Sequence, residues 1–380
     1  MVDEGADARR VVGCMTGTSL DGIDVALGVV RGRGLQGMSV EYGGMVSLDM
    51  SGGLREGLLR VAEGGAVTGL EVLRLRRQLG ELHAEAVGDL VEQVGGEIDL
   101  VVAHGQTVWH VPGDEAGALS WQLFDPWPVV RRLGVPVGYD LRQADLIAGG
   151  QGAPITPVSD CVMYRGVADW VVNLGGVMNA TRLAKQPERV KGMDLYPCNL
   201  MLDGLCQRLF GERFDAGGEY ASRGRMVEGV VGEIGERFER FSSDRTLGRE
   251  QIGEAWLDEL TEAVRGMGSP EDVLHSAAWL IGSVVEVTTC KALRRPRTVL
   301  AGGGTRNRTL VRLIEEANGG EVLLSDDVGI PAAGREAIGM AVLGALSWDG
   351  VPVTLPGVTG ADEPGLAGAW VYPAGYERER

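Results

Sequence analysis

Short apolar, β-branched runs alternate along the chain with longer stretches of helical spacing. Runs at residues 10–14, 23–30, 100–103, 170–174 and 298–301 are bounded by glycine or polar turn residues, which predicts strands. Residues 54–62 and 70–94 carry apolar side chains every three or four positions, which predicts amphipathic helices. Ser269-Pro270-Glu271-Asp272 reads as a helix start, with Ser as N-cap, Pro at the first helical position and acids in the first turn. The helix that follows is apolar on most faces and is expected to be buried. Residues 200–209, 306–316 and 335–347 are further predicted helices. Interleaved strands and helices make the fold class α/β.

The pattern also repeats. Residues 11–19 lead from a strand through a glycine turn towards a second apolar strand, and residues 171–179 do the same. Both read as strand–turn–strand hairpins. Two lobes that each open this way suit a nucleotide cleft between them. No Pro- or Ser-rich linker separates the lobes, which are set at 1–150 and 151–380. A chain of 380 residues has room for two such domains, and 44% hydrophobic with 23% charged residues is a globular balance.

Charge and composition narrow the chemistry. The net charge of −17 makes nucleic acids and anionic membranes poor partners. The longest apolar stretch, 277–287, is broken by Gly282, Ser283 and Glu286, so no membrane-spanning segment of about 18 residues is expected. Residues 1–10 carry Asp3, Glu4 and Asp7 without an apolar core, unlike a signal peptide, and a cytoplasmic location is expected. The only lysines are Lys185, Lys191 and Lys291, and none follows a glycine loop, which excludes a Walker-type phosphate loop. The five cysteines form no C-x-x-C pair and read as free thiols, and the four histidines form no H-E-x-x-H zinc motif. Glycine is in excess, 60 residues, in runs that permit tight turns and close backbone approach to a ligand.

Five polar clusters interrupt the apolar pattern. In residues 13–24, backbone N–H groups and hydroxyls at Gly17, Thr18 and Ser19 can hold phosphate oxygens, and Asp21 can hold magnesium through water; an ordinary hairpin turn is the alternative. His104-Gly105-Gln106-Thr107 follows a strand, where Gln106 and Thr107 can bind sugar hydroxyls and Trp109 can stack on a sugar ring; His104 and His110 read as structural. Arg142 can bind an acidic substrate group bidentately, or pair with a surface Asp. Asp194, before a Pro turn, can serve as a general base or as a simple turn residue. Gly302-Gly303-Gly304 joins a strand to a helix start that favours phosphate.

Together and in order, these clusters resemble the anhydro-N-acetylmuramic acid kinase family, of the sugar kinase, heat-shock protein and actin superfamily. That family opens with Gly-x-Met-Ser-Gly-Thr-Ser-x-Asp-Gly-x-Asp, which stands here at 13–24 with Thr16 in place of Ser. Its later blocks follow at 104–107, 140–142, 149–154, 173–176, 214–224, 302–307, 329–336 and 355–361. The resemblance implies two actin-like (ribonuclease H-like) lobes with an ATP cleft between them. It implies hydrolysis of the 1,6-anhydro bridge of the sugar with phosphorylation of O6 by ATP, giving N-acetylmuramate 6-phosphate in cell-wall recycling. Asp194 matches the catalytic base. Gly17, Thr18, Ser19, Leu20, Asp21, Gly22, Ile23 and Asp24 match the ATP-phosphate loop. Gly175, Gly176, Asn179, Gly302, Gly303, Gly304 and Asn307 fall on the nucleotide side, and Gln106, Thr107, Arg142 and Glu336 on the sugar side. Magnesium is expected with ATP, near Asp21 and Glu336, and a homodimer is a family-level expectation.

Two blocks depart from the family. Where it has Phe-Asp-Thr-Gly-Pro-Gly-Asn, this chain has Met193-Asp194-Leu195-Tyr196-Pro197-Cys198-Asn199. Tyr196 adds bulk near the base, and with Cys198 it is expected to reshape the sugar pocket or restrict the phosphate path. Phe124 stands where a glycine is common. These changes leave levoglucosan as an alternative substrate and a silent sugar- or nucleotide-binding protein as an alternative function. Arg142 favours the muramate, whose lactyl carboxylate wants a cation.

Overall fold

The computed structural model describes residues 8–17, 20–50, 52–111, 113, 117–239, 253–291 and 295–377. Its strands are β1 (Arg9–Met15), β2 (Gly22–Arg31), β3 (Ser39–Asp49), β4 (Leu100–Ala103), β5 (Gln106–Val111), β6 (Leu119–Leu123), β7 (Val137–Tyr139), β8 (Trp170–Leu174), β9 (Val177–Arg182), β10 (Lys191–Pro197), β11 (Arg297–Ala301), β12 (Glu321–Leu324) and β13 (Ala369–Val371). The chain divides into two compact units. One comprises Met1–Arg165, Ala184–Lys191 and Gly329–Arg380; the other comprises Gly166–Leu183 and Gly192–Val328.

This division differs from a single boundary near residue 150, because the end of the chain builds the first unit. β13 pairs antiparallel with β7, and helix Arg335–Trp348 packs on β1 and β2. The helix comes so close that a Cβ on Gly13 would overlap the Ala337 carbonyl, so only glycine fits there. The first unit's main sheet has the order β13-β7-β4-β1-β2-β3. β1 runs antiparallel to β2 and parallel to β4, and Val11, Val12 and Cys14 on it are fully buried. Burying such side chains contributes about 1.5–3 kcal/mol each.

The second unit repeats the plan with β10-β9-β8-β11-β12. Its central strand β8 is antiparallel to β9 and parallel to β11. Both hairpins read from the sequence are present, with Met15 opposite Asp24 in one and Leu174 opposite Met178 in the other. The repetition matches the ribonuclease H-like plan expected of each lobe.

The predicted helix start at Ser269 is a reciprocal capping box. The Ser269 hydroxyl accepts from Asp272 N at 3.2 Å, and the Asp272 carboxylate accepts from Ser269 N at 3.1 Å. The helix it opens, Pro270–Cys290, is by length and composition apolar enough to cross a bilayer despite its interruptions, with a mean hydropathy of 1.3, which the run-length reading did not anticipate. Here Val273, Leu274, Ala277, Ala278, Ile281 and Val285 are spent on the second unit's core. Sequence reading missed β3, whose alternation is broken by Gly43 and Gly44, and the β5–β6 hairpin, which carries the exposed aromatic residues Trp109 and Trp121.

Candidate active site

In the first unit, β1 ends in the polar turn that leads into β2. Thr18 and Ser19 lie outside the described residues. Leu20 adopts φ +55° and buries its side chain with Met50, Leu58 and Leu123, while Ile23 is in the core under the sheet. Any contact of these two with a ligand is therefore through the main chain. The turn is pinned from three sides: the Gln106 amide donates to Gly17 O at 3.1 Å, Arg55 Nε to Leu20 O at 3.0 Å, and Met50 N to Asp21 O at 2.8 Å. The Asp21 side chain is exposed. Asp24 is half-buried and accepts from the Ser47 hydroxyl at 2.5 Å; burial pushes its carboxyl up, and the nearby Asp21 charge adds to that.

A chain of hydrogen bonds ties this turn to the other polar clusters of the same unit. The Thr16 hydroxyl donates to Gly105 O at 2.6 Å, and the His104 Nδ1 lies 2.7 Å from the same carbonyl. Arg142 places Nε and Nη2 at 3.1 and 2.8 Å from His104 Nε2, and its Nη1 donates to Gly152 O at 2.5 Å. The fully buried Asp145 carboxylate accepts from Gly152 N at 2.7 Å and from the Thr359 hydroxyl at 2.5 Å. Burial pulls the Arg142 guanidinium down to about 10, against the opposing charges of Glu336 and Asp145. Clusters far apart in sequence thus meet in one network. Thr107 pairs across the hairpin with Gln122, whose amide donates to the Thr107 hydroxyl at 3.2 Å. Glu336 is half-buried in the first turn of helix Arg335–Trp348, beside a buried ion pair in which Arg335 Nη2 donates to both Asp160 oxygens at 2.6 and 2.8 Å.

The second unit organises its polar residues differently. Asn173 and Asn179 face each other across β8 and β9. The Asn199 amide donates to Leu174 O at 2.9 Å, and its backbone N–H donates to Gly175 O at 3.0 Å. Gly302 has φ +84°, and a Cβ there would overlap Asn173 Oδ1. A Cβ on Gly304 would meet Leu174 and Asn199. Asn307 caps helix Arg308–Ala317, accepting from Leu310 N at 2.9 Å, and presses on Gly218. Gly175, Gly302, Gly304 and Asn199 are therefore brought together, with Asn307 and Gly218 beside them; Gly176 and Gly303 are exposed. Asp194 is half-buried on β10.

The bulk expected near the base goes elsewhere. Tyr196 is 4% exposed in the second unit's core, with its ring 4.1 Å from that of Phe238, and Cys198 is fully buried in the same cluster. Phe124 is likewise a core side chain, 4.7 Å from the His83 ring. Sequence reading did not assign Asp145, Thr359, Asn199 or Gly218 to a site. Thr359, Gly218 and Asn199 lie in the blocks at 355–361, 214–224 and 193–199 that were compared with the family, which was the available signal; Asp145 falls between blocks, and its pairing with Thr359 is written in neither.

A family model described as anhydro-N-acetylmuramic acid kinase matches residues 9–374. Curated relatives with that name include those of Salinibacter ruber, 35% identical over 93% of this chain and 94% of the relative, and of Gloeobacter violaceus, 35% identical over 97% and 100%. That of Bordetella parapertussis is 35% identical over 96% of both. Among solved structures, the (R)-2-hydroxyglutaryl-CoA dehydratase component A of Acidaminococcus fermentans covers 88% of this chain and 97% of its own at TM-score 0.45 and 10% identity, too distant to bear on the site.

Proposed function

The chain belongs to the anhydro-N-acetylmuramic acid kinase family, and from that premise we propose how its residues share the reaction. The activity is that of an ATP-dependent kinase in cell-wall recycling. The 1,6-anhydro bridge of 1,6-anhydro-N-acetylmuramic acid is hydrolysed and O6 is phosphorylated, giving N-acetylmuramate 6-phosphate. Asp194 takes the proton of the water that attacks the anomeric carbon. The C1–O6 bond breaks as the water oxygen bonds to C1, and O6 attacks the γ-phosphorus of ATP, releasing ADP. Positioning and charge stabilisation carry most of the work.

The turn at Gly17, Thr18, Ser19, Leu20, Asp21, Gly22, Ile23 and Asp24 holds the phosphates in this reading. Gly175, Gly176, Asn179, Gly302, Gly303, Gly304 and Asn307 back the nucleotide. Gln106, Thr107, Arg142 and Glu336 hold the sugar. No group of three metal-ligating side chains occurs among the described residues. Magnesium on a nucleotide needs no such cage, since one or two carboxylates beside phosphate and water oxygens suffice. The exposed Asp21 fits that requirement, with Glu336 as the second candidate, and the ion would neutralise charge on the phosphates. A cytoplasmic, homodimeric protein without nucleic-acid or membrane partners completes the proposal, and light scattering on the purified protein tests the dimer.

One observation carries the choice of sugar. Arg142 is held in a buried network in which, among the described residues, one N–H on each terminal nitrogen is left over, an arrangement that supports a carboxylate-bearing sugar over levoglucosan. The test is ADP release from Mg-ATP with 1,6-anhydro-N-acetylmuramate, levoglucosan and N-acetylglucosamine in parallel. Turnover on the muramate is expected, and Asp194→Asn is expected to lower it by about 10²–10⁴-fold. Turnover on levoglucosan alone would overturn the substrate assignment. Sugar binding without turnover would favour the silent binder.

A further inference from the structure

His104 takes no part in that scheme, yet it is 4% exposed and sits at the junction of the polar network. Its ring nitrogens have partners of fixed character. Gly105 O can only accept, so the Nδ1 that lies 2.7 Å away carries the proton. The Arg142 guanidinium can only donate, so Nε2, with Nε and Nη2 at 3.1 and 2.8 Å, offers its lone pair. The two constraints are independent and select the same neutral tautomer. Burial, reinforced by the Arg142 charge, pulls the imidazole down to about 3 and keeps it neutral. The Nε/Nη2 edge of Arg142, the edge suited to a side-on bidentate carboxylate, is thereby occupied. Nη1 donates one hydrogen bond to the Gly152 carbonyl, and among the described residues the donors left to a ligand are one on each terminal nitrogen.

We propose that His104 is a positioning residue that, as a neutral Nδ1–H imidazole, clamps the inner edge of Arg142 and presents its outer Nη1/Nη2 pair to the carboxylate of the sugar. The carboxylate part rests on the reading of Arg142 given above; the clamp itself does not. Among the described residues the charged and titratable groups that act on the imidazole are Arg142 and His83, the latter itself buried and neutral near pH 7. A protonated His104 would set an N–H against the guanidinium N–H groups and break the clamp.

Two measurements test this. Two-bond ¹H–¹⁵N spectra of the ¹⁵N-histidine-labelled full chain, without substrate, are expected to show His104 protonated on Nδ1, bare on Nε2 and not titrating between pH 5 and 8. An Nε2–H tautomer, or titration near the ordinary histidine value, would overturn the clamp whatever the enzyme does. Kinetically, His104→Gln puts an amide oxygen near the place of Nε2, whereas His104→Leu removes the acceptor. His104→Leu is expected to raise KM for the muramate about ten- to a hundredfold with kcat changed far less, and His104→Gln to restore most of the loss. Equal behaviour of the two variants would overturn the proposal, and the spectra decide it if His104→Leu does not fold. Absence of wild-type turnover on the muramate, with the expected tautomer in place, would instead overturn the reading of the substrate.

Discussion

The two units start from the same sheet plan and organise their polar turns by opposite means. The first holds its polar groups through side chains, in a network that joins Thr16, His104, Arg142, Asp145 and Thr359. The second does so mainly with backbone, using glycines where any side chain would collide with Asn173, Leu174 or Asn199. A sugar that carries a carboxylate and hydroxyls needs donors and acceptors placed one by one. A nucleotide bound along turns needs surfaces the backbone can approach closely. The contrast predicts different failures: loss of a partner in the first unit, and loss of space in the second.

The largest effect should come from breaking a buried charge pair of the first unit. Arg335 is 3% exposed and Asp160 fully buried; burial opposes the charge on Arg335, but Asp160, Tyr164 and Glu336 together outweigh it and hold the guanidinium above its ordinary range. Arg335→Met leaves a buried carboxylate without its counter-charge and is expected to destabilise by about 3–5 kcal/mol in denaturant unfolding. Adding Asp160→Leu should recover most of that, because the uncompensated charge goes too. If the double variant is as unstable as Arg335→Met, the pair is not what holds this helix start, and the side-chain account of the first unit fails at its strongest point.

A smaller effect is expected at Gly302, and no second-site partner should rescue it. Its φ of +84° and the closeness of Asn173 Oδ1 make Gly302→Ala strained twice over. A cost of about 1–3 kcal/mol is expected, with KM for ATP raised and KM for the sugar unchanged. A rise in sugar KM instead would move this glycine run off the nucleotide side.

How much of this was legible in the chain follows the same division. The hairpins, the capping box at Ser269 and the central strands were readable because period, cap and turn chemistry are local. The glycine runs were readable as places of close approach, but not what approaches them: Asn173 meets Gly302, and Asn307 meets Gly218, across long separations. The network around Arg142 was legible only as separate blocks, since no spacing rule says that His104 will present a lone pair to a residue 38 positions away. The unit boundary was misjudged for the same reason: that β13 joins β7 is a tertiary fact.

Tyr196 offers the smallest effect and the sharpest check on where sequence reading went wrong. Beside Asp194 in the chain, it looked like an intrusion into the sugar pocket. In the structure its ring lies against Phe238 in the second unit's core, and its hydroxyl, buried, has no hydrogen-bond partner among the described residues. Burial pushes that phenol up, with the Glu239 charge adding to it, so it stays protonated at working pH. A buried hydroxyl without a partner contributes desolvation cost and little else. Tyr196→Phe should therefore leave the unfolding free energy unchanged or raise it by less than about 1 kcal/mol. ADP release on the muramate should stay within about twofold of wild type, a difference under half a kcal/mol in barrier. A several-fold change in KM for the sugar would place the hydroxyl at the ligand after all. An unchanged KM would make the departure from the family at 193–199 a matter of core packing, in the unit whose site otherwise rests on backbone.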